Sequence, residues 1–265
     1  MQQSGYLTST FDVAELALYA FFLFFAGLIY YLRREDKREG YPLESERSDR
    51  AGRVTVRGFP NPPPPKVFIK HHHEDEGIPP RRERDLTGIL APAEGWPGAP
   101  FVPLGDPMQD GVGASSYAER ADVPDLTFDE QLPKIVPLRV ATGYYLAPED
   151  PDPRGMEVLG ADGIVAGTVV EAWVDRSETF VRFLEVDVAP FLGVPQRRVL
   201  VPTQLMRIDA KRRRVTVKSA LAHQIAAAPG VKNPDEITLL EEDKIAGYFA
   251  GGHIYATSKR LGPVL

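Results

Sequence analysis

The most constraining feature of this sequence is an apolar stretch near its start, Val13 to Leu32, which reads VAELALYAFFLFFAGLIYYL and contains a single acid, Glu15. At about 1.5 Å of rise per residue, about 20 helical residues cross the roughly 30 Å hydrocarbon core of a bilayer. A helix that is apolar all round is rarely found at this length in a soluble domain. A signal peptide is disfavoured, because residues 1–12 carry no Lys or Arg and charged residues follow the stretch. The sequence therefore predicts one transmembrane helix over residues 13–32.

The residues after this stretch predict its orientation. Arg33-Arg34-Glu35-Asp36-Lys37-Arg38 follows it directly, and Gly40-Tyr41-Pro42 then ends the helix. The positive-inside rule places the basic flank in the cytoplasm and residues 1–12 on the opposite side. Lipid contacts, from an aromatic belt and from basic side chains near the head groups, are predicted for Tyr30, Tyr31, Arg33, Arg34, Lys37 and Arg38.

Composition narrows the possible functions. The chain has 265 residues and a net charge of -6, so nucleic acid is not indicated as a partner. It has no cysteine, which excludes disulfides and thiolate metal sites and agrees with a cytoplasmic domain. We also find no glycine-rich phosphate loop, nucleophile elbow or catalytic triad, so the sequence does not predict an enzyme.

Proline characterises the segment that follows the helix. The chain has 25 prolines, most of them in its first half. Residues 33–134 are predicted to be extended and proline-rich, with a polyproline stretch at Asn61–Pro65 and short strands at Arg53–Val56 and Val67–Lys70. The segment is either disordered or supported by a partner. Its apolar side chains, concentrated in residues 89–104, favour a partner, because they have no core of their own.

From residue 135 the pattern changes to short strands. They are predicted at Ile135–Leu146, Ile164–Val174, Phe180–Val188, Arg198–Leu205 and Val215–Ser219. Asp162-Gly163 indicates a hairpin turn, and Asp209–Arg213 links two further strands, with basic residues on an expected sheet edge. Strands at this spacing favour a small closed antiparallel barrel.

A last helix is predicted at Ile237–Phe249, ended by Gly251-Gly252. Residues 135–258 would then form a mainly β cytoplasmic domain with a C-terminal helix. The predicted fold class is an α+β membrane protein.

Three polar patterns are candidates for chemistry. Asp175, Glu178 and Arg182 bracket a strand-turn-strand. They are either an ordinary charged turn or a proton relay, because repulsion between carboxylates lets one of them hold a proton near neutral pH. Residues 241–243 are either a second acidic cluster or first-turn charge that favours the helix dipole. His71-His72-His73 is more consistent with an exposed loop than with a metal site, because adjacent residues of an extended chain point to opposite sides.

Several stretches together resemble one family, the H subunit of the purple-bacterial photosynthetic reaction centre. They run in order from the transmembrane helix to the last helix and cover nearly the whole chain. They are Ala26–Leu32, Arg38–Leu43, Gly105–Met108, Asp110–Gly113, Trp173–Asp175, Arg182–Val186, Leu239–Lys244, Gly247-Tyr248 and Ala250–Gly252.

The resemblance implies a location and a set of partners. It implies a single-pass protein of the inner (intracytoplasmic) membrane with a periplasmic N-terminus and a cytoplasmic barrel of the PRC type. Its partners would be the L and M subunits, a cytochrome subunit, light-harvesting antenna polypeptides and membrane lipids. Bacteriochlorophyll, bacteriopheophytin, quinones and non-haem iron would be held by partner subunits, and no redox cofactor by this chain.

The resemblance also implies a role without catalysis. The subunit would cap L and M, stabilise the quinone sites and conduct protons to the secondary quinone during light-driven electron transfer. Asp175 and Glu178 match the relay acids of the family, Arg182 matches an arginine beside them, and Asp125 matches an acid near the surface.

One departure from the family concerns the point of proton uptake. Well-known members have two histidines just before a Lys-Ile-x-Pro sequence, whereas here residues 126–137 read LTFDEQLPKIVP. Asp129 and Glu130 are the nearest protonatable groups, so we expect carboxylates to take over this role. A competing hypothesis is a membrane-tethered barrel adaptor without any part in electron transfer, because a fold alone does not fix a function.

Overall fold

The predicted N-terminal helix forms in the computed structural model, which describes residues 6–8, 11–41, 43–45, 54–69, 74–76, 84–96, 99–190 and 197–261. The chain divides into two compact units. The first comprises residues 1–83 and 94–99, and the second comprises residues 84–93 and 100–265.

The first unit is dominated by the long helix. A short pair of strands, β1 (Tyr6–Thr8) and β2 (Phe11–Asp12), precedes α1 (Val13–Glu35). Asp12 caps α1, because its Oδ1 accepts a hydrogen bond from the Ala14 N–H at 2.9 Å. One turn of 3₁₀-helix, Asp36–Arg38, follows. By length and composition, the helix is a candidate membrane span near the N-terminus, and its apolar side chains are exposed.

Two pairs of short antiparallel strands are also described in this unit. β3 (Leu43–Ser45) pairs with β4 (Val54–Val56), and β5 (Val67–Ile69) pairs with β6 (Glu74–Glu76). Both strands predicted in this region are therefore confirmed over their described residues. Their partner strands, β3 and β6, are not predicted, because the sequence analysis finds no alternation of apolar and polar residues in them.

The second unit begins earlier in the chain than the predicted barrel domain. β7 (Leu90–Pro92) and β8 (Phe101–Pro103) form a hairpin, followed by the four-residue helix α2 (Pro107–Asp110). Met108 of α2 is buried in the main hydrophobic core. Part of the proline-rich segment is thus anchored in this chain's own core.

The centre of the second unit is a seven-stranded sheet. Its strands are β9 (Ile135–Pro137), β10 (Glu157–Leu159), β11 (Val165–Asp175), β12 (Phe180–Val188), β13 (Arg198–Pro202), β14 (Met206–Asp209) and β15 (Arg214–Val217). The order is β13-β12-β11-β10-β15-β14, and β9 pairs with β11.

The sheet confirms several predictions and corrects three. One correction is the strand predicted at Arg198–Leu205, because β13 ends at Pro202 and Thr203–Leu205 form a turn of 3₁₀-helix. β12 has the predicted bounds, and the Asp162-Gly163 turn joins β10 to β11, with Gly163 at φ +74°. The predicted strand Ile135–Leu146 is wrong beyond Pro137, whose carbonyl accepts turn hydrogen bonds from Val140 and Ala141. The expected all-antiparallel pairing is also wrong, because β10 and β15 run parallel.

Two helices follow the sheet, α3 (Ala222–Ala226) and α4 (Leu239–Tyr255). The predicted helix stop at Gly251-Gly252 is wrong, since both glycines lie inside α4 and are buried. A Cβ on Gly251 would stand 2.7 Å from the Cβ of Ser115, and one on Gly252 would stand 2.9 Å from the carbonyl carbon of Ser219. These glycines therefore permit close packing of α4. The observed fold is the predicted class, an apolar N-terminal helix followed by a mainly β region with a C-terminal helix.

Candidate functional site

Three carboxylates of the second unit surround one lysine ammonium. The Nζ of Lys134 lies 3.6 Å from Oδ2 of Asp175, 3.8 Å from Oδ2 of Asp125 and 4.0 Å from Oε1 of Glu178. We call these four residues the Lys134 cluster. The structure therefore brings together three of the six residues predicted for proton transfer and adds a cation that was not predicted.

Strand pairing explains why these residues meet. β9 pairs with the end of β11 so that Ile135 lies opposite Asp175, which brings Lys134 to the end of β11. The backbone of Lys134 is held on both sides. Its N–H donates to the Asp125 carbonyl at 2.7 Å, and its carbonyl accepts from the Arg176 N–H at 2.9 Å.

Asp175 is the buried member of the cluster, with a fully buried side chain. Its Oδ1 accepts hydrogen bonds from the N–H groups of Ser177 at 2.9 Å and Glu178 at 3.0 Å, which fixes the turn between β11 and β12. Within the described residues, its Oδ2 has no hydrogen-bond partner. A buried carboxylate oxygen without a donor is costly unless it binds water or a proton.

The other two acids reach solvent. The side chains of Asp125 and Glu178 are 46% and 54% exposed, whereas that of Lys134 is 21% exposed. The cluster thus connects two solvent-facing carboxylates to one buried carboxylate through a shared cation. Such an arrangement can accept a proton from water and offer it a second, protected acceptor.

Asp129 and Glu130 occupy a different position. They lie exposed near the tip of the loop 126–133, which is closed by a bridge between Leu126 and Pro133. The N–H of Thr127 donates to the Leu132 carbonyl at 2.8 Å, and Gln131 has φ +55°. These two carboxylates are accessible to water at the tip of the loop. Lys134 directly follows the base of the same loop.

Arg182, which the resemblance places beside the relay acids, contacts two other side chains in the structure. It pairs with Glu242 of α4 at 3.0 Å and lies over the ring of Phe180 at 5.2 Å from its centroid. The base found next to these acids is Lys134. Local sequence gave no signal for it, because its acids are 9, 41 and 44 residues away in the chain.

The acidic run at the start of α4 has separate partners for each member. Glu241 forms a capping box with Thr238, Glu242 pairs with Arg182, and Asp243 pairs with Arg120 at 3.3 Å. These separate partners support the interpretation of residues 241–243 as first-turn charge rather than as a second acidic cluster.

Sequence analysis missed a second buried carboxylate, Glu185 of β12. Its Oε1 accepts from Arg198 at 3.0 Å, and its Oε2 accepts from Arg139 and from the indole Nε1 of Trp173, each at 3.1 Å. A cavity of about 170 Å³ adjoins it, lined also by Leu200, Val231, Lys232 and Pro234. Alternation along β12 gave no signal for it, because Phe183 to Val186 are all buried and the strand is therefore covered on both faces at this point.

The end of α1 presents the residues predicted to meet lipid. Tyr30, Tyr31, Arg33 and Arg34 are exposed. Lys37 differs from the expectation, because it is only 4% exposed and its Nζ donates to the carbonyl of Pro60 at 2.8 Å. Arg38 also contacts residues of the first unit. It donates to Glu35 at 2.7 and 2.9 Å and to the Pro64 carbonyl at 2.6 Å.

The remaining prediction concerns histidine. His71-His72-His73 lies outside the described residues. Among the residues that are described, no three His, Cys, Asp or Glu side chains are grouped so that they would hold a metal ion.

Two comparisons with known families cover most of the chain. Residues 5–140 match the family described as the photosynthetic reaction centre, H-chain N-terminal region. Residues 149–224 match the PRC-barrel domain. The Lys134 cluster draws on both regions, with Asp125 and Lys134 from the first and Asp175 and Glu178 from the second.

Proposed function

The chain belongs to the photosynthetic reaction-centre H-chain family, and from this premise we propose that it is a subunit without catalytic activity that caps the L and M subunits and conducts protons to the secondary quinone. The family implies association with other reaction-centre subunits and with the membrane. Stabilisation of the quinone sites belongs to the same proposal.

The proposed orientation is an N-terminus on the periplasmic side and a main domain in the cytoplasm, in the inner (intracytoplasmic) membrane. It rests on the charge difference across α1, since Arg33 and Arg34 follow the helix whereas residues 1–12 carry no Lys or Arg. Tyr30, Tyr31, Arg33 and Arg34 would then contact lipid at the cytoplasmic surface.

The proposed partner contacts use exposed apolar side chains. In the second unit, Phe101, Val102 and Leu104 are exposed on and next to β8, and in the first unit Trp96 is exposed. Apolar side chains of this size at a surface are characteristic of subunit contacts. A cytochrome subunit and antenna polypeptides complete the proposed set of partners.

The redox groups are proposed to lie in the partner subunits. Bacteriochlorophyll, bacteriopheophytin, quinones and non-haem iron supply the electron chemistry there, and the quinone takes up protons as it is reduced to quinol. The residues of this chain contribute by accepting and releasing protons at their carboxylates.

The observation that carries proton conduction is the buried Oδ2 of Asp175 beside Lys134. A proton taken up from water binds first at an exposed carboxylate, drawn from Asp125, Glu178, Asp129 and Glu130. It then passes through water to Asp175, where burial protects it from return to bulk solvent. Arg182, held by Glu242, stabilises the start of β12 against α4 and so supports the turn that carries the acids.

The decisive experiment replaces Asp175 in the assembled membrane complex. Asp175→Asn keeps an oxygen that accepts from Ser177 and Glu178, so the turn is retained while the proton site is lost. We expect light-driven proton uptake coupled to the second electron transfer to slow by about tenfold or more. The matched control is Asp150→Asn, an exposed acid outside the cluster.

Two results would contradict the proposal. One is an unchanged uptake rate in the Asp175→Asn complex. The other is a complex, purified through this chain, that lacks the near-infrared bands of bacteriochlorophyll, which would instead support the membrane-tethered adaptor.

A further inference from the structure

We propose that the β14–β15 hairpin is a contact site for the anionic surface of a lipid bilayer, separate from the lipid contacts at the end of α1. Residues 207–218 contain six basic side chains and a single acid, Asp209, although the whole chain has a net charge of -6. The basic residues are Arg207, Lys211, Arg212, Arg213, Arg214 and Lys218. This inference goes beyond the proposed function, because it concerns neither the quinones nor proton conduction.

The turn at the tip of the hairpin has a fixed backbone and exposed basic side chains. The Oδ1 of Asp209 accepts a hydrogen bond from the Arg212 N–H at 3.0 Å, and the Arg213 N–H donates to the Ala210 carbonyl at 3.3 Å. The side chains of Lys211, Arg212 and Arg213 are exposed. We call these three residues the basic turn.

Arg213 has a backbone conformation that favours glycine. Its φ of +49° lies in the left-handed region, which side chains other than those of Asn and Asp rarely adopt. A glycine would form this turn with less strain, so the needs of local folding do not explain an arginine here. A function of its positive charge does explain it.

The acids close to the basic turn leave most of its charge available. The pair of Arg212 with Asp209 is 3.8 Å long, and the arginine side chain is 74% exposed, so this pair is open to solvent. Asp152, whose carboxyl is influenced by the charge of Arg213, is held by Arg154 at 2.7 Å. Among the described residues, Lys211 and Arg213 form no salt bridge.

Protection of a sheet edge does not explain where this charge lies. β14 is an outermost strand of the sheet, and basic side chains on such a strand discourage pairing with other chains. However, Arg207 is the one basic residue of β14. The strand register places Arg214 next to Asp209 and Glu157, which balance charge on the strands. The excess of positive charge is therefore at the turn, beyond the edge.

A bilayer surface suits the basic turn better than a peptide does. Peptide recognition uses a groove or a free strand edge with pockets for side chains, whereas this charge lies on exposed side chains at the end of a hairpin. Consecutive basic residues on flexible stems can each meet a separate phosphate head group. The leaflet that faces the cytoplasm is the anionic one, and this is the side proposed for the second unit.

The first test measures contact in the assembled complex, reconstituted in nanodiscs of phosphatidylcholine with or without phosphatidylglycerol. Hydrogen exchange of residues 207–218 is expected to slow in the anionic nanodiscs, or when phosphatidylglycerol vesicles are added to the neutral nanodiscs. The first result would place the contact on the membrane of the complex itself, and the second on a neighbouring membrane. In both arrangements the protection should be lost at high salt, because the attraction is electrostatic.

The second test removes charge from the basic turn. Lys211→Gln combined with Arg213→Asn removes two positive charges, and Asn tolerates the left-handed φ. We expect this double variant to lower the affinity for phosphatidylglycerol by about tenfold or more, measured by titration of the lipid against the protection of residues 207–218. Arg213→Lys keeps the charge and should bind as the wild type does.

The matched control is Arg120→Gln combined with Lys232→Gln, which removes the same charge at two exposed positions outside the hairpin. Equal loss of affinity in the two double variants would overturn the inference, and so would the absence of protection in both arrangements. Preferential binding of a polyglutamate peptide would also overturn it and indicate an acidic protein as the partner.

These outcomes are independent of the proposed function. The double variant of the basic turn should retain the wild-type rate of proton uptake, whereas Asp175→Asn should retain the wild-type affinity for anionic lipid. Either proposal can therefore fail while the other stands.

Discussion

Trp173 donates its indole N–H to Oε2 of Glu185 across the β11–β12 pair at 3.1 Å, and both side chains are buried. The same carboxylate accepts from Arg139 and Arg198. A buried acid with three donors is satisfied only while all of its partners are present. Removal of the acid leaves an indole N–H and positive charge facing a small cavity.

Glu185→Leu is therefore expected to lower the free energy of unfolding of the second unit by about 2–4 kcal/mol. Glu185→Gln should cost less, because it still accepts from Trp173. Chemical denaturation of the complex in detergent, followed by tryptophan fluorescence, measures both. Glu157→Gln, an exposed acid on β10, is the control, and equal stability of Glu185→Leu and wild type would contradict the prediction.

Gly251→Ala is expected to destabilise the packing of α4 by about 1–3 kcal/mol, because the added methyl group overlaps Ser115 and the backbone must shift. The matched control is Gly95→Ala, since a Cβ there meets nothing within 4 Å. Thermal denaturation of the purified complex compares the two variants. An alanine tolerated equally well at both positions would show that α4 has room at this face.

Asp122 provides a prediction on pH. A hydrogen bond from Lys232, and then one from the Thr238 hydroxyl, lowers the pKa of this carboxyl. Since the folded pKa lies below the unfolded value of about 3.9, the stabilisation is present above that pH and is lost as the pH falls through the folded pKa.

Asp122→Asn should accordingly reduce thermal stability at neutral pH, with the wild-type and variant curves converging in strong acid. Thermal denaturation in detergent between about pH 3 and 7 measures this difference. Asp150→Asn serves as the exposed control. A gap between the wild type and Asp122→Asn that is independent of pH would rule out the carboxylate as its cause.

Local patterns were sufficient for the elements whose signal lies within a few residues. The apolar run predicted α1, and alternation predicted β12 with its bounds. Local sequence patterns do not predict which distant segments pair with each other. The parallel contact of β10 with β15 depends on how the chain returns across the sheet, and Gly251-Gly252 resembled a stop because their use in close packing depends on Ser115 and Ser219.

The candidate site shows the same division. Asp175 and Glu178 share a turn, so their proximity follows from spacing alone. Asp125 and Lys134 join them only because β9 pairs with β11. The family resemblance places Arg182 beside these acids, whereas in the fold the ammonium of Lys134 lies within 4.0 Å of Asp125, Asp175 and Glu178.

The contact of Lys37 with the carbonyl of Pro60 has a consequence for how the first unit tolerates changes in length. Lys37 and Pro60 both follow α1, so a residue inserted within α1 moves them together and leaves their contact intact. Each inserted residue instead turns the earlier side chains of α1 by about 100° around the helix axis relative to this contact. The face that α1 presents is thus expected to be retained when its length changes by about three or four residues, which is a whole turn.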